Sequence, residues 1–188
     1  MKIPPLDQRI EYLLSVSVPF DPGCFNNVSI RSAIDAIGAS GFSIRQDNYP
    51  DQEASKQGGK LGLCVFSEKH PPLIYLVLSL HDDDSELADT IFHEALHATA
   101  KPLGRHVVLP EDPQLAETHL EELAVYSGLS RIYPLLGIPQ MREIHRRNKA
   151  RHATLEKALA SGLPKSEILT WNQYGVEAAD YLLNIIKR

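Results

Sequence analysis

Cysteine is scarce. The 188-residue chain has two, Cys24 and Cys64, far apart and in no CxxC pair. That argues against a disulfide framework and for two buried, reduced thiols. An excess of basic charge is also lacking: 19 Lys and Arg against 24 Asp and Glu leave a formal net charge of −5. No overall positive field therefore points to nucleic acid or to a membrane surface. Long hydrophobic runs are missing as well. The longest continuous apolar run, Leu73 to Leu78, falls far short of the roughly 20 residues a bilayer-spanning helix needs. Ile10 to Val18 is apolar but broken by Glu11, Ser15 and Ser17, and no cleavage-site pattern follows it, so a cytoplasmic location is expected. There is no internal repeat and no low-complexity segment. What remains, 43% apolar and 23% charged residues, is the composition of an ordinary soluble globular domain.

The pattern of apolar residues orders the chain. Leu6, Ile10, Leu13 and Leu14 predict a short helix over Leu6 to Val16, and Asn27 to Ile37 reads as a second, ended by Gly38 and Gly41. Gly41 to Tyr49, Leu61 to Glu68 and Leu73 to Leu80 read as three strands, the last almost wholly apolar and so expected to be covered on both faces. If that strand lies at a sheet edge, an extended substrate can pair with it. Asp82, Asp83, Asp84 and Glu86 then suit the N-terminus of a helix, where carboxylates are favoured by the dipole. Further helices are expected over Gln114 to Ile132, stopping near Tyr133-Pro134, over Ile138 to Ala160, and over Ser166 to Lys187, the last two separated by Gly162 and Pro164. Helices, a three-stranded meander, then helices to the end make an α+β fold. Residues 1–135 are expected to form the main domain, with 136–188 a helical extension packed on it.

One stretch inside this frame carries chemistry. Thr90 to Thr99 reads TIFHEALHAT, an HExxH pattern in a helix-forming segment. Residues four apart share a helix face, so His93 and His97 project side by side and can clamp one divalent metal, zinc being the usual occupant. Glu94 points around the helix, where its carboxylate can serve as general base to a metal-activated water. Such a zinc takes three protein ligands and keeps a fourth position open. The helix after Gln114 offers Glu117, His119, Glu121 and Glu122 as the third.

Glu121-Glu122-Leu123-Ala124 resembles the ExxA segment that supplies the third ligand in gluzincin-type peptidases. There the Glu is followed three residues later by a small residue that lets helices approach closely, which implies Glu121, with Ala124 as the small residue. Upstream, "GKLGLCVF", "PPLIYLVLSL" and "ELADTIFHEALHAT" are similar to the ImmA/IrrE-like zinc metallopeptidase family, with Pro134 where that family often ends its ExxA helix. The similarity runs from about Val28 to Pro134. It departs from the family at Ser127-Gly128, where an aromatic-Ala pair is usual. "FHEALHATA" followed by "EEL" is also similar to the metallopeptidase domain of ArdC-like antirestriction proteins, although Tyr126 stands where their second acid would be.

The resemblance implies a zincin-like peptidase of narrow specificity, with Zn2+ on His93, His97 and Glu121, Glu94 as base, and a regulatory protein such as a transcriptional repressor as substrate. The competing reading is an antirestriction or phage-derived binding module on the same scaffold. For an oxyanion-stabilising donor, Tyr126, His119, His106 and Arg105 are the candidates by nearness in sequence, with Tyr126 put forward as catalytic. The basic segment Arg142 to Arg151 reads as the solvated face of a helix in an acidic protein. Trp171 and Tyr174 read as residues packing the last helix onto the domain.

Overall fold

The computed structural model of the chain describes residues 43–45, 61–65, 72–76, 81, 84–100, 116–136 and 141–186. The helices expected over Leu6 to Val16 and Asn27 to Ile37 lie outside these, as do Cys24, Arg105 and His106. Among the described residues there are three strands, β1 (Ser43–Arg45), β2 (Gly62–Val65) and β3 (Leu73–Leu76). Four helices follow: α1 (Asp84–Ala100), α2 (Ala116–Leu136), α3 (Met141–Ala160) and α4 (Lys165–Ile186). The class is α+β, dominated by helix.

The strands pair in the order β1-β3-β2, which is not the order of a meander. β3 runs parallel to β1, with Ser43 opposite Leu73 and Arg45 opposite Tyr75. It runs antiparallel to β2, with Gly62 opposite Leu76 and Val65 opposite Leu73. A parallel pair cannot be closed by a tight hairpin, so β1 and β3 are joined by a crossover. β3 is therefore central, with both its edges taken, and it offers no edge to an added strand. Its side chains alternate, Ile74 and Leu76 buried, Leu73 and Tyr75 half-buried, so one face is sealed and the other partly covered.

The sheet and the other helices enclose α1. It packs against β2 and β3 on one side and against α2, α3 and α4 on others. From Glu86 to Thr99 every residue of α1 except His97 is buried, which marks a core helix rather than an amphipathic surface one. α2 contributes Leu120, Leu123, Leu129 and Ile132 to the same interior. It runs two residues beyond Pro134; burial of Ile132 and Tyr133 carries it past the point where proline removes a backbone donor.

The junction between α3 and α4 follows from two residues. Gly162 has a φ of 77°, the left-handed conformation glycine adopts without steric cost. Around it Gly162 N donates to Leu159 O (3.1 Å) and Leu163 N to Ala158 O (3.4 Å), the paired bonds of a Schellman motif. Pro164 then opens α4, its carbonyl accepting from the Glu167 and Ile168 amides. Leu155, Ala158 and Leu163 before the turn, and Ile168 and Trp171 after it, pack with Leu120 and Leu123 of α2.

α2 and α4 touch backbone to backbone. A Cβ placed on Gly175 would stand 1.9 Å from the Ala124 carbonyl oxygen, and one on Gly128 would stand 2.8 Å from the Gly175 carbonyl oxygen. α4 occupies the space beside Ser127-Gly128, and the Ser127 hydroxyl lies within hydrogen-bond distance of Asn172 of α4 and of the Leu123 carbonyl. The small size of Ala124 likewise serves contact with α4. Replacing Gly175 by Ala at an ordinary helix position would stabilise by about 0.5–1 kcal/mol. Here the clash reverses the sign, and Gly175→Ala is expected to destabilise by about 1–3 kcal/mol, read as a lower urea midpoint at unchanged slope.

Candidate metal centre

The spacing of the HExxH pattern brings the two imidazoles of α1 together, with ring centroids 5.0 Å apart and planes at 66°. α2 supplies the carboxylate that meets both. Glu122 Oε2 lies 3.6 Å from His93 Nε2, and Glu122 Oε1 lies 3.3 Å from His97 Nε2. One donor atom from each of His93, His97 and Glu122 lies within 4.8 Å of the other two, a grouping able to hold a metal ion. Ligands about 2.0–2.2 Å from a shared tetrahedral ion stand about 3.3–3.6 Å apart, and each imidazole lies that far from one of the two Glu122 oxygens.

Glu121 is not in that group. One residue along a helix is a rotation of about 100°, and the rotation aims Glu121 at the other side of His97. There His97 Nδ1 and Glu121 Oε1 are 2.8 Å apart. Donation from Nδ1–H to a carboxylate fixes the tautomer that leaves Nε2 with its lone pair free, the usual outer support of a metal-binding histidine. Where Glu121 was expected as third ligand, the structure groups Glu122 with the two histidines and sets Glu121 against His97 Nδ1. The feature that favoured Glu121, a small residue three positions on, is explained by the contact of Ala124 with Gly175. His119, half-buried one turn before Glu122, is outside the group. The side chain of Glu117 lies outside the described residues.

The charges on the site are strongly coupled. Burial alone would lower His97, but Glu122 and Glu121 outweigh it and hold the imidazole well above its ordinary range. Burial lowers His93, helped by Arg147, and keeps it well below. Glu122 is raised by burial but lowered further by His93, His97 and Arg147, and sits well below the usual carboxylate range. The field that holds a proton on His97 is the field that would hold a divalent ion in its place. Two buried atoms, His93 Nδ1 and Glu121 Oε2, have no hydrogen-bond partner among the described residues.

Glu94 is buried on the side of α1 facing β2. A Cβ on Gly62 would lie 2.6 Å from Thr90 Cγ2 and 3.1 Å from Glu94 Oε1, so only glycine lets the strand lie this close. The Cys64 amide donates to the Glu94 carboxylate; burial nonetheless raises Glu94 to about 7. The Cys64 thiol, unpaired to any other cysteine, is pushed up by burial and by Glu94 and Glu121.

Tyr126, one turn beyond Glu122, stands at the site with its ring 5.6 Å from His93. Burial pushes its hydroxyl up to about 12, with Glu122 adding to the rise and Arg147 opposing it. Arg147 belongs to the basic segment, which is not simply a solvated face. Arg146 Nη1 donates to Glu86 (2.6 Å) and Nη2 to Asp89 (2.6 Å), while Arg147 Nε donates to the same Asp89 oxygen at 2.7 Å. Tyr133 donates to the other oxygen of Asp89. Glu86 is therefore an ion-pair partner rather than only a helix-terminal charge. These pairings join residues 57 to 60 positions apart, and only the basic run of α3 in an acidic chain signalled them.

No protein-family model matches the chain, and comparison with curated proteins and with solved structures returns no match. No helix among the described residues is long and apolar enough to cross a membrane.

The two glutamates are separable by experiment. Glu122→Ala is expected to abolish stoichiometric zinc binding. Glu121→Ala is expected to keep one zinc per chain but weaken it about 10- to 100-fold, both read by chelator competition. Loss of binding in Glu121→Ala with retention in Glu122→Ala would return the third ligand to Glu121.

Proposed function

We propose that the chain is a zinc-dependent metallopeptidase in which His93, His97 and Glu122 hold the metal and Glu94 is the general base. The observation that carries this reading is the convergence of two imidazole nitrogens and a carboxylate beside a second, buried carboxyl. Support for a zincin-like, ImmA/IrrE-like assignment is coarser: an HExxH helix lies against a small sheet, and the next helix brings a carboxylate to it. When bound, a divalent metal supplies water of near-neutral pKa and polarises a carbonyl oxygen.

The remaining work belongs to the side chains. Glu94 takes a proton from the attacking water and passes it to the amine that leaves. The Cys64 amide holds the Glu94 carboxylate, and the Gly62 backbone closes the space behind it. Glu121 orients His97 through Nδ1. Tyr126 stands with its ring beside His93 and beneath the Arg147 guanidinium, which suits a residue that packs the edge of the site. A regulatory protein, such as a transcriptional repressor in the cytoplasm, is the proposed substrate. The alternative, a binding or inhibitory module of antirestriction type, has no need of Glu94. A carboxyl buried without a metal or a reaction to serve is costly, and its position beside the histidines favours hydrolysis.

Glu94→Gln is expected to bind zinc as the parent does and to lose cleavage by several orders of magnitude. The measurement is mass spectrometry of candidate repressors incubated with parent or variant, with and without chelator. Cleavage that continues undiminished in Glu94→Gln would remove Glu94 from this role.

A further inference from the structure

We propose that Arg147 is a positioning residue of the metal centre: bound to Asp89 of α1 and seated on Tyr126 of α2, it sets the spacing between the histidine pair and Glu122. The inference rests on the metal reading above and names, beside the direct bond from Tyr133 of α2 to Asp89 of α1, a second tie between its two halves. Two ligands come from α1 and the third from α2, so the site exists only while those helices keep their separation. Asp89 is one helical turn before His93, and Tyr126 is one turn after Glu122. Arg147 spans that neighbouring layer. Its Nε donates to Asp89 Oδ2 at 2.7 Å, and its guanidinium carbon lies 5.8 Å from the centre of the Tyr126 ring. The Tyr126 ring in turn lies 5.6 Å from that of His93.

Arginine suits this task and lysine does not. The planar fork can donate to Asp89 from one edge and stack over an aromatic ring with its face, whereas an ammonium is a single point of charge. Arg147 is also well shielded, its side chain 15% exposed and that of Asp89 0%, so replacing it removes a buried charge-assisted bond and leaves Asp89 to Arg146 and Tyr133. Arg146 provides the contrast. It binds the same Asp89 oxygen and Glu86 and so belongs to the α1–α3 contact, while the guanidinium over Tyr126 is that of Arg147. The helix α3 thus has one arginine that fastens it to α1 and one that reaches through to α2.

The test uses the full chain as parent and as Arg147→Met, Arg147→Lys, Arg146→Met and Tyr126→Leu. Zinc affinity is read by competition with a chromogenic chelator, and ligand geometry by the visible bands of the cobalt(II)-loaded protein. Arg147→Met is expected to weaken zinc about 10- to 100-fold, the range for loss of an outer support, and to shift the cobalt bands. Arg147→Lys does not restore them. Arg146→Met leaves affinity and bands at parent values while lowering thermal stability. Tyr126→Leu, which removes the ring, weakens zinc, and adding it to Arg147→Met brings no further loss, the signature of two residues acting through one contact. Equal zinc affinity in parent, Arg147→Lys and Tyr126→Leu would overturn the inference even if Arg147→Met does not fold. So would equal losses in Arg146→Met and Arg147→Met, because the effect would then be general loosening of α3. A parent chain that binds no zinc would instead overturn the metal reading itself.

Discussion

The whole arrangement depends on burying a polar helix. Glu86, Asp89, Thr90, His93, Glu94 and Thr99 are all buried on α1, a helix enclosed on nearly every side. An unpartnered polar group in such a place costs on the order of 1–3 kcal/mol, and an unpaired charge more. Each must be answered locally or from another element. The threonines return to their own helix, Thr90 to Glu86 O and Thr99 to Leu96 O. The acids and imidazoles cannot, and the rest of the fold is arranged to meet them. β2 brings a backbone amide to Glu94, α2 brings two carboxylates to the histidines, and α3 brings two guanidinium groups to Glu86 and Asp89.

This explains why the elements after α2 belong with the centre. Asp89 collects three donors, from Arg146, Arg147 and Tyr133, so α2 and α3 are fastened to α1 at one carboxylate. On the opposite flank α4 presses α2 through the Ala124–Gly175 contact. Helix α2 is held from both sides, and Glu122 and Tyr126 are carried on it. A buried ion network of this kind adds little to stability relative to apolar packing, and the attested use of such networks is to specify one arrangement. Here the specified quantity is the placement of α2 against the histidines.

How much of this could be read from the sequence depended on range. The pairing of His93 with His97 is a property of four consecutive residues on a helix, and the periodicity of the segment was enough to place them on one face. Gly162 and Pro164 marked the α3–α4 turn for the same local reason. Glu121 and Glu122 were not distinguishable on that basis, because which faces α1 depends on how α2 is rotated at the crossing. That rotation is set by packing against α4, through Ala124, Gly128 and Gly175, some fifty residues apart. The strand order escaped notice likewise: alternation and turn residues suggest three strands but are silent on β3 lying between β1 and β2. The arginines of α3 looked solvated because their acids lie on α1, two helices away.

The contact between Ala124 and Gly175 has a consequence for the thermodynamics of ion capture. Backbone meets backbone there with no side chain between to act as a cushion, so α2 has little freedom to rock. Its carboxylate is ordered by folding of the chain rather than by arrival of an ion. For the proposed zinc, the entropy of fixing the ligands is then already spent before the encounter. The same stiffness narrows the choice of ion, since a larger cation that demands longer bonds and more oxygen ligands would have to push α2 against a carbonyl that cannot yield.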